Sequence, residues 1–161
     1  MISNRALTEF RSLWQRLDPV NDPADTQDRL LELVPAIVNR WGEVAASVSA
    51  DWYSDARPGR SPVLAESLAD EFVSKRVRFG AQRLWSGEPD RTFAFTRGLI
   101  DEYVLNAGRH TIADAAERDG FGWSRVLGGP NEGPFCLGLA GPAGPESRIF
   151  RPHCSCVVVP G

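Results

Sequence analysis

The chain changes character at Gly120. Ahead of it run long stretches in which apolar residues recur every three or four positions. Behind it come all three cysteines, most of the fifteen glycines and only short β-type runs. A period near 3.6 followed by a loop-rich, strand-like tail reads as an α+β protein. The expected organisation is a mostly helical body over residues 1–119 and a small β-containing, Cys/His-bearing C-terminal subdomain over residues 120–161. No internal repeat or low-complexity tract stands out.

Four helices follow from the spacing. Leu7, Phe10, Trp14 and Leu17 share one face of a helix over residues 4–17, and the two prolines of DPVNDP stop it. A long amphipathic helix opens near Asp25 or Thr26 as N-cap and carries Leu30, Val34, Ile37, Trp41, Val44, Val48 and Trp52. Pro35 inside it predicts a kink, or two helices meeting near Leu33 to Pro35. Where that stripe is longer than a small bundle can cover, its remainder is expected to be an assembly interface. After the turn-rich SDARPGRSP, residues 64–85 read helical with Leu68, Phe72, Val77 and Leu84 inward. After SGEPD, a fourth helix over residues 91–118 is capped by Asp90 or Thr92, buries Phe95, Leu99, Tyr103, Ala107 and Ala115, and ends at Gly120 as a glycine C-cap. Trp14, Trp41, Trp52 and Trp85 fall on these stripes and are expected to pack between helices. The runs WSRVL, SRIF and CVVVP are the candidate strands, with Trp123 wedging them against the fourth helix.

Composition sets outer bounds. At 161 residues, 42% hydrophobic and 24% charged, the chain fits one ordinary domain with an appendage. A net charge of −3 and pI near 5.4 argue against a surface built throughout to neutralise phosphates, while allowing a local basic patch. The first seventeen residues lack the apolar region of a signal peptide, and no run of about 18 apolar residues occurs. A cytosolic origin, with no membrane partner, is the default. An odd number of cysteines, all within the last 26 residues, does not suit a secreted disulfide framework, so reduced thiols are expected.

The richest chemistry lies in FRPHCSCVVVPG. His153, Cys154 and Cys156 fall within four residues, and Cys136 precedes them in EGPFCLGLAG. Along an extended segment Cys154 and Cys156 point to one side and His153 to the other. Cys136, Cys154 and Cys156 therefore form one candidate set of three, whereas a structural zinc site takes four nitrogen or sulfur ligands. The expectation is a packed, reduced set of thiols. The alternatives are a zinc site on Cys136, His153, Cys154 and Cys156, or a disulfide from Cys136 to either later cysteine. A thiol nucleophile at Cys136 would need His153 or His110 as base and a third group to orient it. His110 and Asp114, four apart on a helix, can pair on one face. No Gly-x-Ser-x-Gly elbow, His-Glu-x-x-His helix or phosphate-cradling loop is present.

Basic residues gather at Lys75, Arg76, Arg78 and Arg83, with Arg91 and Arg97 beyond. A solvated helix face is the plain expectation. Contact with nucleic acid or with an acidic partner is the functional one.

Three stretches in order, AGRHTIADAAERDGFGWSRV (107–126), GPFCLGLAG (133–141) and RPHCSCVVVP (151–160), resemble the minor capsid or head-morphogenesis proteins of tailed phages. The resemblance is to the phage Mu F-like group, in particular its forms in phages of actinobacteria. In that group a helix ending in Gly-Trp-x-Arg-Val is followed by Cys-x-x-Cys and a closing His/Cys-x-Cys element. Here Trp123 and Arg125 stand in the first motif as structural residues. Gly133 replaces the first cysteine of Cys-x-x-Cys, and Arg151 stands where relatives often carry histidine, so the resemblance implies a metal site partly eroded. It further implies a non-enzymatic protein present in multiple copies, found in the virion head or portal vertex and in the host cytoplasm during assembly. Its partners would be the portal protein, other capsid components and packaged DNA, and its role head assembly and DNA packaging or ejection. A capsid maturation protease and a small DNA-binding module are the rival expectations.

Overall fold

The computed structural model describes residues 2–66, 69–128, 133–143, 148, 150 and 154–161. Helices α1 (Ile2–Trp14), α2 (Pro23–Ala56), α3 (Asp70–Ala81) and α4 (Pro89–Arg118) form the body, with a 3₁₀ turn (Gln82–Ser86) between α3 and α4. Strand β1 (Trp123–Val126), the short helix α5 (Pro134–Gly138) and strands β2 (Gly141–Pro142) and β3 (Val157–Pro160) follow. An α+β chain with a small three-stranded antiparallel sheet, ordered β2-β1-β3, is the result.

α2 and α4 lie along each other as the spine of the body. Small residues set how close they come. A Cβ on Gly42 would meet the Cβ of Ala107 at 3.5 Å, and one on Gly108 would meet Ser49 Oγ at 2.5 Å. The first core cluster gathers Phe10, Leu13, Leu30, Val34, Ile37, Val77, Leu99 and Val104 from all four helices. Each such side chain contributes about 1.5–3 kcal/mol through its removal from water. Phe10 stacks on Phe93 with centroids 5.3 Å apart, and Trp14 leans on the same ring at 5.4 Å.

Several local expectations change. The buried positions of α1 are Ser3, Ala6, Phe10 and Leu13, so Leu7 and Trp14 flank the buried face and Leu17 lies past the end of the helix. Pro23 lies well beyond the end of α1 at Trp14. It is the first residue of α2, and the N-cap is Asp22, whose carboxylate accepts from the backbone N–H of Asp25 at 3.0 Å. α2 is a single 34-residue helix carried through Pro35, with no division into two. Its apolar stripe splits instead. Leu30, Val34 and Ile37 are buried, but beyond Trp41 the inward positions pass to Ala45, Ala46, Ala50 and Tyr53, which leaves Val44, Val48 and Trp52 exposed. The side of α2 facing α4 needs small residues, and the larger ones lie outside that crossing.

α3 starts at Asp70, so Leu64 is exposed in the preceding connection and Leu68 lies outside the described residues. Phe72 and Trp85 are exposed, and Val73, Val77, Ala81 and Leu84 make the inward face. α4 begins with Pro89 after Glu88, without the side-chain cap expected from Asp90 or Thr92. Thr92 is buried and donates to the carbonyl of Gly80 at 3.2 Å. The C-terminus of α4 closes as expected of a glycine cap. Gly120 has φ of 75°, Gly120 N–H donates to Glu117 O at 3.1 Å, and Phe121 N–H donates to Ala116 O at 2.9 Å.

Beyond Gly120, WSRV and VVVP form antiparallel neighbours with Arg125 opposite Val158. Arg148 and Phe150 of the expected SRIF strand are not in a strand, and the third strand is Gly141–Pro142. The helical turn α5, opened by Pro134, has no counterpart among the expected elements. Tyr53 of α2 and Ile112, Ala113, Ala115 and Ala116 of α4 share one apolar cluster with Trp123, Cys136, Phe150, Cys154, Cys156 and Val158. The tail thus packs its buried side chains onto the far end of the α2–α4 spine.

Candidate functional site

The three cysteines converge. Cys136 comes from the middle of α5, and Cys154 and Cys156 come from the segment leading into β3. Their three Sγ atoms lie within 4.8 Å of one another, and all three residues are buried. Cys136 Sγ sits 3.5 Å from Cys154 Sγ, and no disulfide joins them. His153, the fourth expected ligand, lies outside the described residues, as does Arg151.

Two buried arginines frame this group. Arg125, on the central strand β1 and 1% exposed, donates from Nη2 to Cys154 Sγ at 3.2 Å. Arg109, on α4, donates from Nε to the carbonyl of Cys156 at 3.0 Å, from Nη2 to the carbonyl of Cys154, and from Nη1 to Asn106 Oδ1 at 2.9 Å. Both guanidinium groups also lie on the Phe150 ring, 4.6 Å and 4.4 Å from its centroid for Arg109 and Arg125. Burial pushes the Cys154 thiol up. Hydrogen bonds from the Arg125 side chain, the backbone of Cys156 and the Cys156 and Cys136 side chains outweigh that and leave it below the ordinary thiol value. For Arg109 burial dominates and lowers its pKa. For Arg125 burial also acts downward, but the hydrogen bonds and charges of Cys156 and Cys154 turn the balance upward.

Trp123 is buried beside the end of α4, and its Nε1 donates to Glu117 Oε1 at 2.9 Å. Arg148 bridges Glu117 and Asp114, each at 2.7 Å. His110 rests near Phe150, with ring centroids 6.3 Å apart, and burial lowers its pKa. The carboxylate four residues on, Asp114, is held by Arg148.

The basic cluster is spread over α3 and the turn after it. Lys75 pairs with Glu71 at 2.9 Å, Arg76 with Glu102 at 3.6 Å, and Arg83 lies over Phe79 and Phe95. Arg78 is exposed.

A depression of about 560 Å³ opens between the start of α1, α2, α4 and β3. Val48, Arg109, Cys154, Cys156 and Val157 are among its lining residues. Val48 and Val157 are 52% and 50% exposed, so the groove has an apolar rim that continues along α2 to Val44 and Trp52.

Sequence reasoning missed Arg109 and Phe150. Arg109 does leave a signal, because on α4 it stands one turn from the apolar Leu105 on one side and from Ile112 and Ala113 on the other. Phe150 stands within a run that reads as strand and leaves none.

A helical body capped by a small sheet over three sulfurs and two arginines defines an α+β protein whose buried polar groups hold the tail to the spine. The chain belongs to the VG15 protein family, a phage and viral protein family, whose profile matches residues 1–161. No curated protein matches the chain, and no solved structure matches it.

Proposed function

We propose that this protein is a minor capsid, or head-morphogenesis, protein of a tailed phage, carried at the portal vertex and acting in head assembly and DNA packaging or ejection. Membership of a phage protein family along the whole chain is the observation that carries this reading. The order of the Gly-Trp-x-Arg-Val, Phe-Cys and His-Cys-x-Cys elements supports the finer, Mu F-like assignment.

The surface suits recognition. Val44, Val48 and Trp52 follow one another at intervals of four on α2 and are exposed, next to the groove that Val157 also borders. An apolar row of that length on a helix fits a groove in a partner, read through anchors one turn apart. The three cysteines share one buried cluster with Phe150, with Phe135 packed against it and Arg125 bonded to Cys154 Sγ, an arrangement that packs and positions the tail. Lys75 and Arg76 are engaged with Glu71 and Glu102, and Arg83 with aromatic rings, while Arg78 stays exposed, so this face offers a mixed surface to a protein more readily than a row of bare charges to phosphates.

Co-expression with the portal protein of the same phage tests the reading. The chain is expected to co-purify with the assembled portal ring and to be present in isolated procapsids. Absence from procapsids, together with failure to bind the ring, overturns it. Cleavage of the major capsid protein by the purified chain would place it with the maturation proteases instead. Salt-dependent duplex binding that is lost when Lys75, Arg76, Arg78 and Arg83 are neutralised would place it with DNA-binding modules.

A further inference from the structure

We propose that Cys136, Cys154 and Cys156 bind one zinc ion as a three-thiolate structural site whose surplus negative charge is balanced by Arg125. This inference stands apart from the portal reading, since it rests on the cysteines and the arginines around them.

Convergence is the first ground. The three sulfurs come from two segments 18 residues apart in sequence, yet they lie within 4.8 Å of one another, with Cys136 and Cys154 at 3.5 Å. Zinc–sulfur bonds of about 2.3 Å in a tetrahedron place thiolates roughly 3.8 Å apart. The observed spread needs only small side-chain adjustments to reach that geometry. Among the described residues the converging group is made of sulfur alone, with no carboxylate in it. Such a donor set selects a thiophilic cation and disfavours magnesium or calcium, which take oxygen ligands.

The backbone holding the sulfurs is fixed independently of any ion. Arg109 grips the carbonyls of Cys154 and Cys156 from α4. The Cα of Gly128 faces the Ser155 peptide so closely that a Cβ there would lie 2.0 Å from the Ser155 carbonyl oxygen. The N–H of Cys136 is tied to the carbonyl of Gly133 at 2.9 Å at the start of α5. A ligand set held this way needs little ordering when the ion arrives.

Charge is the second ground. Three thiolates and Zn²⁺ sum to one negative charge, and a buried charge is tolerated only when paired. Arg125 is buried and already directed at Cys154 Sγ, so it supplies one positive charge at a ligand sulfur. Hydrogen bonds to ligand sulfurs also hold them in place, as outer partners do in other metal sites. Among the described residues no fourth ligand joins the three sulfurs, so a nitrogen or oxygen donor from outside this group would complete the tetrahedron. The ion would cross-link α5 to the strand that follows Cys156. That is a useful staple for a sheet whose strands span only four, two and four residues.

The test uses the full chain, purified anaerobically without chelator. Elemental analysis is expected to find one zinc per chain, released when a mercurial reagent titrates the thiols. Addition of Co²⁺ to the metal-free, reduced protein is expected to give thiolate-to-cobalt charge-transfer absorption and the intense visible bands of a tetrahedral S₃ site with one nitrogen or oxygen donor. Arg125→Met is expected to weaken Zn²⁺ affinity by about 10–100-fold. Cys136→Ser is expected to abolish stoichiometric retention, and the Co²⁺ titration of the unaltered chain decides the question even where that variant does not fold. Metal-free protein with three titratable thiols and no cobalt–thiolate absorption overturns the proposal. So does a disulfide-linked chain, lighter by two hydrogens, that on reduction still takes up no Co²⁺.

Discussion

Arg109 Nε donates to the carbonyl oxygen of Cys156 at 3.0 Å, and through Nη2 the same guanidinium reaches the carbonyl of Cys154. One side chain of α4 therefore satisfies two backbone acceptors of a segment that is not yet a strand. Hydrogen bonds to charged donors are worth about 1.5–3 kcal/mol each, and a buried acceptor left bare costs a similar amount. Arg109→Met is expected to destabilise the protein by about 3 kcal/mol in urea unfolding. Arg109→Lys should recover little of that, because a single ammonium cannot span two carbonyls as a planar fork does. A lysine variant as stable as the unaltered chain would mean that the two acceptors find other partners.

The junction of α4 and β1 is acid-sensitive by construction. The Trp123 indole, and then Arg148, donate to Glu117 and hold its carboxyl below the usual value of 4.5. A folded-state pKa below the unfolded one contributes stability that is fully present above pH 4.5 and is lost as pH falls through the lowered value. Glu117 is half exposed, so the contribution is screened and stays below about 1 kcal/mol. Glu117→Gln keeps an acceptor for Trp123 but removes the charge that Arg148 reads. Its unfolding free energy should vary less with pH below 4.5 than that of the unaltered chain, as measured by urea titration across pH. At the alkaline end, burial above all, then the Tyr53 hydrogen bond to Asp119 at 3.0 Å, raises the Tyr53 pKa above 10.0. That contribution is present below pH 10.0 and is lost above it as pH rises through the folded value. Tyr53→Phe should remove this alkaline limb.

Gly128 has no room for a side chain. An added Cβ would stand 2.0 Å from the carbonyl oxygen and 2.7 Å from the carbonyl carbon of Ser155, both backbone atoms that cannot swing aside. Gly128→Ala is therefore expected to cost about 1–3 kcal/mol of overpacking strain and to displace the Cys154–Cys156 segment. Gly133→Ala makes the control, since a Cβ there meets nothing within 4 Å. Equal unfolding midpoints for the two variants would show that the Ser155 peptide moves freely.

How far the residues alone disclose this molecule depends on which force sets each part. The four helices of the body and the break at Gly120 follow from period and from glycine chemistry, both local. The face each helix buries does not. On α2 the sequence stripe runs on through Val44, Val48 and Trp52, but close approach to α4 at Gly108 and Ala107 rewards small residues, so Ala45, Ala46 and Ala50 take the inside. The starts of α2 and α4 depart from the expected caps for one reason. Pro23 and Pro89 sit at the first helical turn, where a missing N–H costs nothing, and each starts its helix earlier than the side-chain pattern shows. At the candidate site, the alternation of an extended segment brings Cys154 and Cys156 to one side. That Cys136 joins them depends on α5, a five-residue turn too short to leave a period. Arg109 stands out on α4 in the sequence, but its two acceptors, the carbonyls of Cys154 and Cys156, are a tertiary fact that exists only once the tail lies on α4.

The exposed half of the α2 stripe separates folding from assembly within one helix. Val48 and Trp52 are 52% and 45% exposed, whereas Ala46, just ahead of them on the same helix, is 1% exposed. Replacing both large residues by glutamine, a good helix former, removes apolar surface that the described residues leave open to solvent. Unfolding free energy should change by no more than about 0.5 kcal/mol for each substitution. Ala46→Gln, which forces a long polar side chain into the α2–α4 contact, should cost several times more and serves as the stability control. If the row docks on the portal, a central tryptophan of that kind contributes about 2 kcal/mol or more. The double variant should then bind the ring roughly thirtyfold more weakly while melting where the unaltered chain does. Unchanged binding by a normally folded Val48→Gln/Trp52→Gln protein would remove this face of α2 from the interface and direct attention to Phe72, Phe79 and Trp85, the other exposed aromatic group.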